Sequence, residues 1–312
     1  MGDETQPTLI TKTFFHVGDD DEILKGQAFE IMRQNESGNL FDLQELTYNI
    51  RNVAVDKNGQ PLRYAFLHRR TNSIYEGTDT SNPVQLITEW VRDDFGNITK
   101  EGRYGQVCDG RLACGDDEVI IERVFAKNEA EWIFGLPCTE ESLNISGKRL
   151  SEKRIYYDGE AFVGLPLCQI IRGAMTRTEG WVEGDRYANL ERIRRDEWGN
   201  IVEQLNPRGG RRVITYDSIS HTYPMKERVE LSEDFFASMK VAYDETLGVI
   251  TKYKDANGHD HIWDYDGLGR LITSIEPGDS LEYPTAKYTY HHGNPTSYVR
   301  TEHRIHSGDA PT

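Results

Sequence analysis

The chain has 312 residues, enough for one large domain or two ordinary ones with a buried core. Its 36 basic and 52 acidic side chains leave a formal charge of −16, which argues against a nucleic-acid backbone or an anionic membrane as the main partner, because both would be repelled. A mean hydropathy of −0.66 is very polar for a folded chain, yet 16 Tyr, 11 Phe and 5 Trp are unlike the aromatic-poor composition of disorder, so a folded protein with much exposed surface is expected.

The N-terminus, MGDETQPTLITKTFF, is acidic and polar; no basic segment precedes an apolar one, so a standard secretory signal is not expected. No run of about 18 apolar residues occurs, which leaves no helical membrane span. DDEILKGQAFEIMRQ, from Asp20, is the one stretch with apolar residues at helical spacing and an acidic start, and Gly26 interrupts it. Beyond it the chain punctuates itself too often for helices. LFDLQELTYNIRNVAV (Leu40 to Val55), DKNGQ and PLRYAFLHRR (Pro61 to Arg70) read as strand, turn and antiparallel strand. Cys108, Cys114, Cys138 and Cys168 lack the close CxxC pairs of a zinc ribbon. Asp109-Gly110 offers a turn that would join Cys108 to Cys114 in a local disulfide; free thiols, buried or idle, are the preferred reading.

Later segments repeat one another. RDDFGNITKEGRYG from Arg92, RRDEWGNIVEQLNPRGGRRVITYD from Arg194, AYDETLGVITKYKDANGHDHIWDYD from Ala242 and DYDGLGRLITSIEPGD from Asp264 each place an Asp, a short gap, a Gly and a β-rich run. Asp196 to Asp217 spans 21 residues and Asp244 to Asp266 spans 22, while the 27 from Asp217 to Asp244 carry a degenerate unit, SISHTYPMKERVELSEDFFASMKVAY. In each unit the Asp side chain accepts nearby backbone amides and closes a turn, and the Gly supplies a positive φ. The expected turn residues are Asp94 and Gly96; Asp196 and Gly199; Tyr216 and Asp217; Tyr243, Asp244 and Gly248; and Tyr265, Asp266, Gly267 and Gly269. A Tyr before the Asp offers an apolar ring with a hydroxyl that stays wet, which suits a sheet with unlike faces. After the Gly, runs such as RLITSI alternate between those faces, and Pro277 with Gly278 ends the strand.

A single hairpin is marginal in water, so each must lean on its neighbours. The expected fold class is all-β: tandem antiparallel β-hairpins forming a curved, shell-like extended sheet. Residues 1–85 are its strand-rich N-terminal section and 86–312 its repeat section.

Catalytic motifs are scarce. There is no GxSxG, and Gly267 and Gly269 lack the third Gly of a dinucleotide loop. Gly147-Lys148 lacks the upstream Gly of a phosphate loop. DANGHD (Asp255 to Asp260) crowds oxygen ligands around a Gly but has neither the spacing nor the terminal Glu of an EF-hand, so turn chemistry is preferred to calcium. His259 and His261 alternate onto one face of a strand, with His291, His292, His303 and His306 further on. A metal there needs a third ligand from another strand and polar partners behind it; surface histidines are the preferred reading. EGWVEGD (Glu179 to Asp185) holds carboxylates without the fixed cleft separation of a glycosidase. The reading is therefore no enzyme, no catalytic residue, no cofactor and no metal.

One resemblance covers nearly the whole chain. The tandem YD…G units, with TKTFFHVG (Thr11 to Gly18), LKGQ (Leu24 to Gln27), DDFGN, EWIFGLP (Glu131 to Pro137), YYDGEAFVGLPL (Tyr156 to Leu167) and YDGLGRL, occur in an order that resembles the middle and C-terminal part of bacterial insecticidal toxin complex B components, within the Rhs/YD-repeat superfamily. The YD unit alone also occurs in Rhs toxins, wall-associated proteins and animal teneurins; the ordered set is what points to the toxin-complex branch. The resemblance implies a hollow β-shell wall that holds a cytotoxic polypeptide unfolded until it passes to a translocation channel. It implies as partners a second shell subunit, a channel subunit and the encapsulated toxin, with no nucleic acid and no membrane insertion by this chain. The implied location is secreted or extracellular, reached through a larger assembly.

The chain departs from that family in having no β-propeller segment, no DPxGL hairpin of the self-cleaving aspartyl site and no hypervariable tail, so autoproteolysis and toxin activity do not carry over. At 312 residues it is shorter than a complete shell component, which suits a fragment or one contributor among several chains. Where the pattern has GLPLGQ this chain has GLPLCQ, with Cys168, read as a packing difference. The alternative reading is a cell-surface adhesion or glycan-binding module.

Overall fold

The computed structural model describes residues 9–19, 21–76, 83–107, 112, 117–230 and 235–305. They contain no α-helix, as the all-β reading expects: in the stretch with interrupted helical spacing only Glu22–Leu24 forms a 3-10 turn, and Ala28–Gln34 is a strand. Asp21 caps the turn by accepting the Ile23 amide at 3.1 Å, and Gly26, at φ 81°, leads the chain out of it. Ala28–Gln34 then lies between two antiparallel neighbours, where paired backbone outweighs a weak helical spacing.

The chain folds as two compact units. The first comprises residues 1–158 and 165–188. It holds β1 (Ile10–Phe15), β2 (Ala28–Gln34), β3 (Leu40–Val55), β4 (Pro61–Ile74), β5 (Val84–Arg92), β6 (Ile98–Gln106), β7 (Val119–Asn128), β8 (Ile133–Asn144), β9 (Arg149–Tyr157) and β10 (Met175–Glu183). Each of these strands is antiparallel to the one before it. The second unit comprises 159–164 and 189–312, and so takes β11 (Arg186–Arg195) from Asn189 onward. It continues through β12 (Ile201–Leu205), β13 (Arg211–Tyr216), β14 (Pro224–Glu230), β15 (Phe236–Asp244), β16 (Val249–Lys254), β17 (Asp260–Tyr265), β18 (Leu271–Ile275), β19 (Ala286–His291) and β20 (Tyr298–His303). The meander is again antiparallel throughout.

The all-β hairpin architecture is therefore as expected. The division drawn at residue 85, between two sections of a sheet expected to be continuous, falls inside β5, which pairs with both β4 and β6. The degenerate stretch after Asp217 supplies β14 and β15, paired from Lys226↔Lys240 to Glu230↔Phe236.

The first unit's core gathers where residues 165–175 return over β7, β8 and β9. Ala126, Cys138, Tyr157 and Ile170 are buried together, packed by Ile133, Leu136, Ile155, Leu167 and Met175. Cys138 and Cys168 are joined there in a disulfide with Cα atoms 5.0 Å apart, which corrects the free-thiol reading for this pair. Their separation of 30 residues is bridged only because β8, β9 and the returning segment bring them side by side. Cys108 and Cys114 lie outside the described residues. In the second unit Ile193, Ile214, Ile275 and Ala286 are buried, and Arg304, just past β20, forms a buried ion pair with Asp279 at 2.6 Å.

Candidate functional site

The repeated chemistry of the chain is a turn of five residues that begins with Asp or Asn and has Gly fourth. At Asp266 the Gly269 amide donates to the Asp266 carbonyl (2.9 Å), and the Asp266 amide donates to the Arg270 carbonyl (2.9 Å). The Asp266 side chain accepts the amides of Leu268 (2.9 Å) and Arg270 (3.0 Å). The same four bonds close the turns that begin at Asp56, Asp93, Asp196, Asn206 and Asp255. One side-chain oxygen thus satisfies two amides that a hairpin tip would leave to water.

In this geometry Asp196 and Asp266 open their turns and Gly199 and Gly269 stand fourth, whereas Asp94 and Gly267 lie second in theirs, without the closing bonds or the positive φ. Asp93, not Asp94, closes the turn containing Gly96; Asp94 points outward and reaches Arg51 at 3.3 Å. Gly269 carries the positive φ of its turn (75°), whereas Gly267 has open space where a Cβ would stand and no positive φ. The working spacing places Gly three residues after the Asp, and the doubled Asp of DDFGN and doubled Gly of DGLG hid it.

The Tyr-Asp dipeptides lead into larger loops as well. After Tyr216, the Asp217 carboxylate accepts the amides of Ile219, Ser220, His221, Thr222 and Tyr223 at 2.5–3.1 Å. Those amides, Tyr223's foremost, hold its carboxyl well below the usual carboxylate range against the opposing effect of burial. After Tyr243, Asp244 accepts Thr246 and Leu247, and its carbonyl takes the Gly248 amide. The Tyr243 ring lies 4.8 Å from Tyr223, and burial pushes its hydroxyl up, as it does that of Tyr265.

A further member, Tyr157-Asp158, was not singled out as a turn. Asp158 accepts Ile171, Arg172 and Gly173 on one oxygen and Ala174 on the other, at 2.7–3.1 Å. Burial opposes its ionisation, and these four amides more than offset that, so its carboxyl is held low. The Tyr-Asp dipeptide was the available signal; the amides lie more than a dozen residues away, which conceals the loop.

Two turns are clasped to a neighbouring segment, the start of β8 in one case and a loop in the other, by their third and fifth residues. Asn97 Nδ2 donates to Asp93 (3.0 Å) and to the Phe134 carbonyl (2.7 Å), while Phe95 stacks on Phe134 at 4.1 Å. Asn200 Nδ2 donates to Asp196 (3.1 Å) and to the His221 carbonyl (2.6 Å), while Trp198 stacks on His221 at 3.4 Å. The signal in the sequence is the aromatic-Gly-Asn ending shared by DDFGN and DEWGN. At Asp266 the fifth residue is Arg270, which pairs with Asp266 (2.6 Å) and lies over the Tyr290 ring at 4.3 Å.

Cys168 adopts φ 64°, a region that favours Gly. At that position, where the resembled pattern has Gly, this chain places a cysteine joined to Cys138. Among the other singled-out residues, Glu179 accepts from Tyr156 (2.7 Å) and pairs with Arg177 (2.9 Å). The Gly147 amide closes a turn on Asn144. His306 lies outside the described residues.

Between the turns, carboxylates are tied up by arginines. Glu152 is buried and accepts from Arg154 (2.8 Å) and the Tyr187 hydroxyl (2.6 Å), with Arg149 at 2.9 Å. Glu203 is likewise held between Arg194 and Arg211, with Arg211 the main cause of its lowered pKa. What this arrangement does chemically is fix hairpin tips and satisfy the charges of a sheet.

No protein-family model matches the chain, and no curated protein matches it. Solved structures do. A crystal structure of TcdB2-TccC3 superposes with a TM-score of 0.65 over 86% of this chain and 19% of its own, at 14% identity. One of TcdB2-TccC3-Cdc42 gives 0.64 over 85% of this chain and 17% of its own, at 15% identity. A Photorhabdus luminescens Tc holotoxin pore gives 0.66 over 92% of this chain and 20% of its own, at 14% identity. At such identities the likeness is one of fold, and the chain spans about a fifth of the length of those chains.

Proposed function

We propose that this chain is a non-enzymatic wall segment of a toxin-complex shell, whose hairpins help enclose a cytotoxic polypeptide before it passes to a channel. The observation that carries the reading is the shared fold over 85–92% of the chain with the TcdB2-TccC3 and holotoxin structures. The internal chemistry agrees with it. Turns closed by their own Asp, and carboxylates such as Glu152 and Glu203 already paired with arginines, suit a wall beside an unfolded polypeptide, because paired groups do not compete for the cargo's backbone. The partners are then a second shell subunit, a channel subunit and the cargo. A location outside the cytosol fits the Cys138–Cys168 disulfide, since such bonds persist in oxidising surroundings.

The test is co-expression with a toxin-complex partner shell subunit that carries a cargo polypeptide. A co-purifying particle that shields the cargo from protease is the expected result. A chain that stays apart from them, with the cargo digested, would sink the proposal; direct capture of cell-surface glycans by the lone chain would favour an adhesion module instead.

A further inference from the structure

Between β9 and β10 the chain runs from Asp158 to Ala174 with no strand of its own, while β9 and β10 pair directly, from Met175↔Tyr157 to Gly180↔Lys153. From residue 165 this excursion belongs to the first unit and covers its core, with Leu167 and Ile170 packed on Ala126, Cys138 and Tyr157. Because the flanking strands hold each other, the cover can leave the core without breaking their ladder.

The ties that hold the cover down are few. Asn128 Nδ2 donates to the Ile170 and Ile171 carbonyls, both at 3.2 Å, and the Leu165 amide donates to the Tyr157 carbonyl at 2.9 Å. Asp158 clasps residues 171–174, beyond the cover itself. The covalent tie is the disulfide from Cys138 to Cys168, and Cys168 stands at φ 64°, where an L side chain is strained. The cross-link therefore holds a backbone conformation that the cysteine by itself resists. Its two sulfurs also differ in access. Cys138 is fully buried and Cys168 only partly so, which lets an external thiolate reach the Cys168 sulfur first. The Cys138 sulfur lies 3.3 Å from the Val124 carbonyl, an acceptor in place for its thiol hydrogen once the bond is cut.

We propose that the Cys138–Cys168 disulfide is a reduction-released latch: a dithiol cuts it, and residues 165–170 lift to uncover the core beneath. One thiolate of the dithiol attacks Cys168 Sγ, the S–S bond breaks, and Cys138 leaves as a thiolate that takes a proton from solvent. The second thiolate then displaces Cys168 from the mixed disulfide, and Cys168 is protonated in turn. Two electrons pass to the protein, and the dithiol closes as its own disulfide. A chain moving from oxidising to reducing surroundings thus exposes the apolar face of Ala126, Leu136 and Tyr157 only in the second. The latch does not depend on the shell reading.

The test is hydrogen exchange of the full chain, oxidised and after dithiothreitol, read by mass spectrometry, with iodoacetamide labelling of the desalted reduced chain. The amides of residues 165–170 are expected to exchange about tenfold faster or more once reduced, while those of β9 and β10 keep their rates. Cys138 should then label alongside Cys168. Without reductant, Cys138→Ala combined with Cys168→Ala should exchange as the reduced chain does. Cys138→Ala with Cys168→Gly, relieved of the backbone strain, should exchange more slowly. Circular dichroism establishes that each variant is folded, and the unaltered chain carries the test where one is not. Cys138 left unlabelled while Cys168 reacts overturns the proposal, since the cover then stays shut without its bond. Faster exchange throughout β9 and β10 does so as well, because it marks general unfolding. Equal rates in the Gly and Ala variants remove the strain that opens the latch, and overturn it too.

Discussion

Asp158 shows how much one side chain organises here. Its four amides come from residues 171–174, so the carboxylate ties the end of β9 to the chain's return before β10. Because its pKa in the fold lies below the unfolded value of about 3.9, its contribution is complete above that pH and is lost as pH falls through the folded pKa. Asp158→Asn replaces one accepting oxygen by a donor and is expected to cost roughly 1–3 kcal/mol in urea unfolding at neutral pH. The gap from the unaltered chain should narrow below about pH 4, where the native carboxyl also protonates. The two glycines of DGLG give a second test. Gly269→Ala, at φ 75°, should destabilise by about 1 kcal/mol or more, while Gly267→Ala should stay within about 0.5 kcal/mol. Equal losses in thermal melts would mean that the positive φ of Gly269 is not what sets the glycine requirement of this turn.

Hairpins are joined to hairpins by the Asn-aromatic clasps and, at one place, by a disulfide. If Trp198 and His221 act as a pair, the double-mutant cycle of Trp198→Ala and His221→Ala should show a coupling of about 0.5–1.5 kcal/mol; additive losses would reduce the stack to mere proximity. For the disulfide, a loop of this size is worth about 3–4 kcal/mol in the chain-entropy description. With Cys138 replaced by Ala, Cys168→Gly should be the more stable partner than Cys168→Ala by about 1 kcal/mol, because only Gly takes φ 64° without strain. The reverse order, measured by urea unfolding, would mean that the disulfide and not the fold imposes that backbone angle.

Across the whole molecule, each unit is a meander in which every strand relies on the one before it, and large side chains are buried in only a few places. That is the architecture expected of repeats that are marginal singly and stable in series. Strands were legible because alternation such as that of RLITSI is local, and turns were legible because Asp and Gly act within five residues of one another. The helical spacing after Asp20 goes unrealised for the converse reason: apolar spacing over a short window cannot register that β1 and β3 lie on either side of Ala28–Gln34.

By itself, then, the sequence determined the class of the fold, the hairpin unit and most of its turn residues, since these depend on backbone preferences acting between near neighbours. Only the tertiary structure decided that Asp93 rather than Asp94 closes its turn, and that Asp158 gathers the amides of 171–174. It alone joined Cys138 to Cys168 and set His261 between Asp255 and Glu276. The physical reason is that each of these depends on which strands lie side by side and in what register, and register is settled by the collective pairing of backbones and faces rather than by any short stretch of chain.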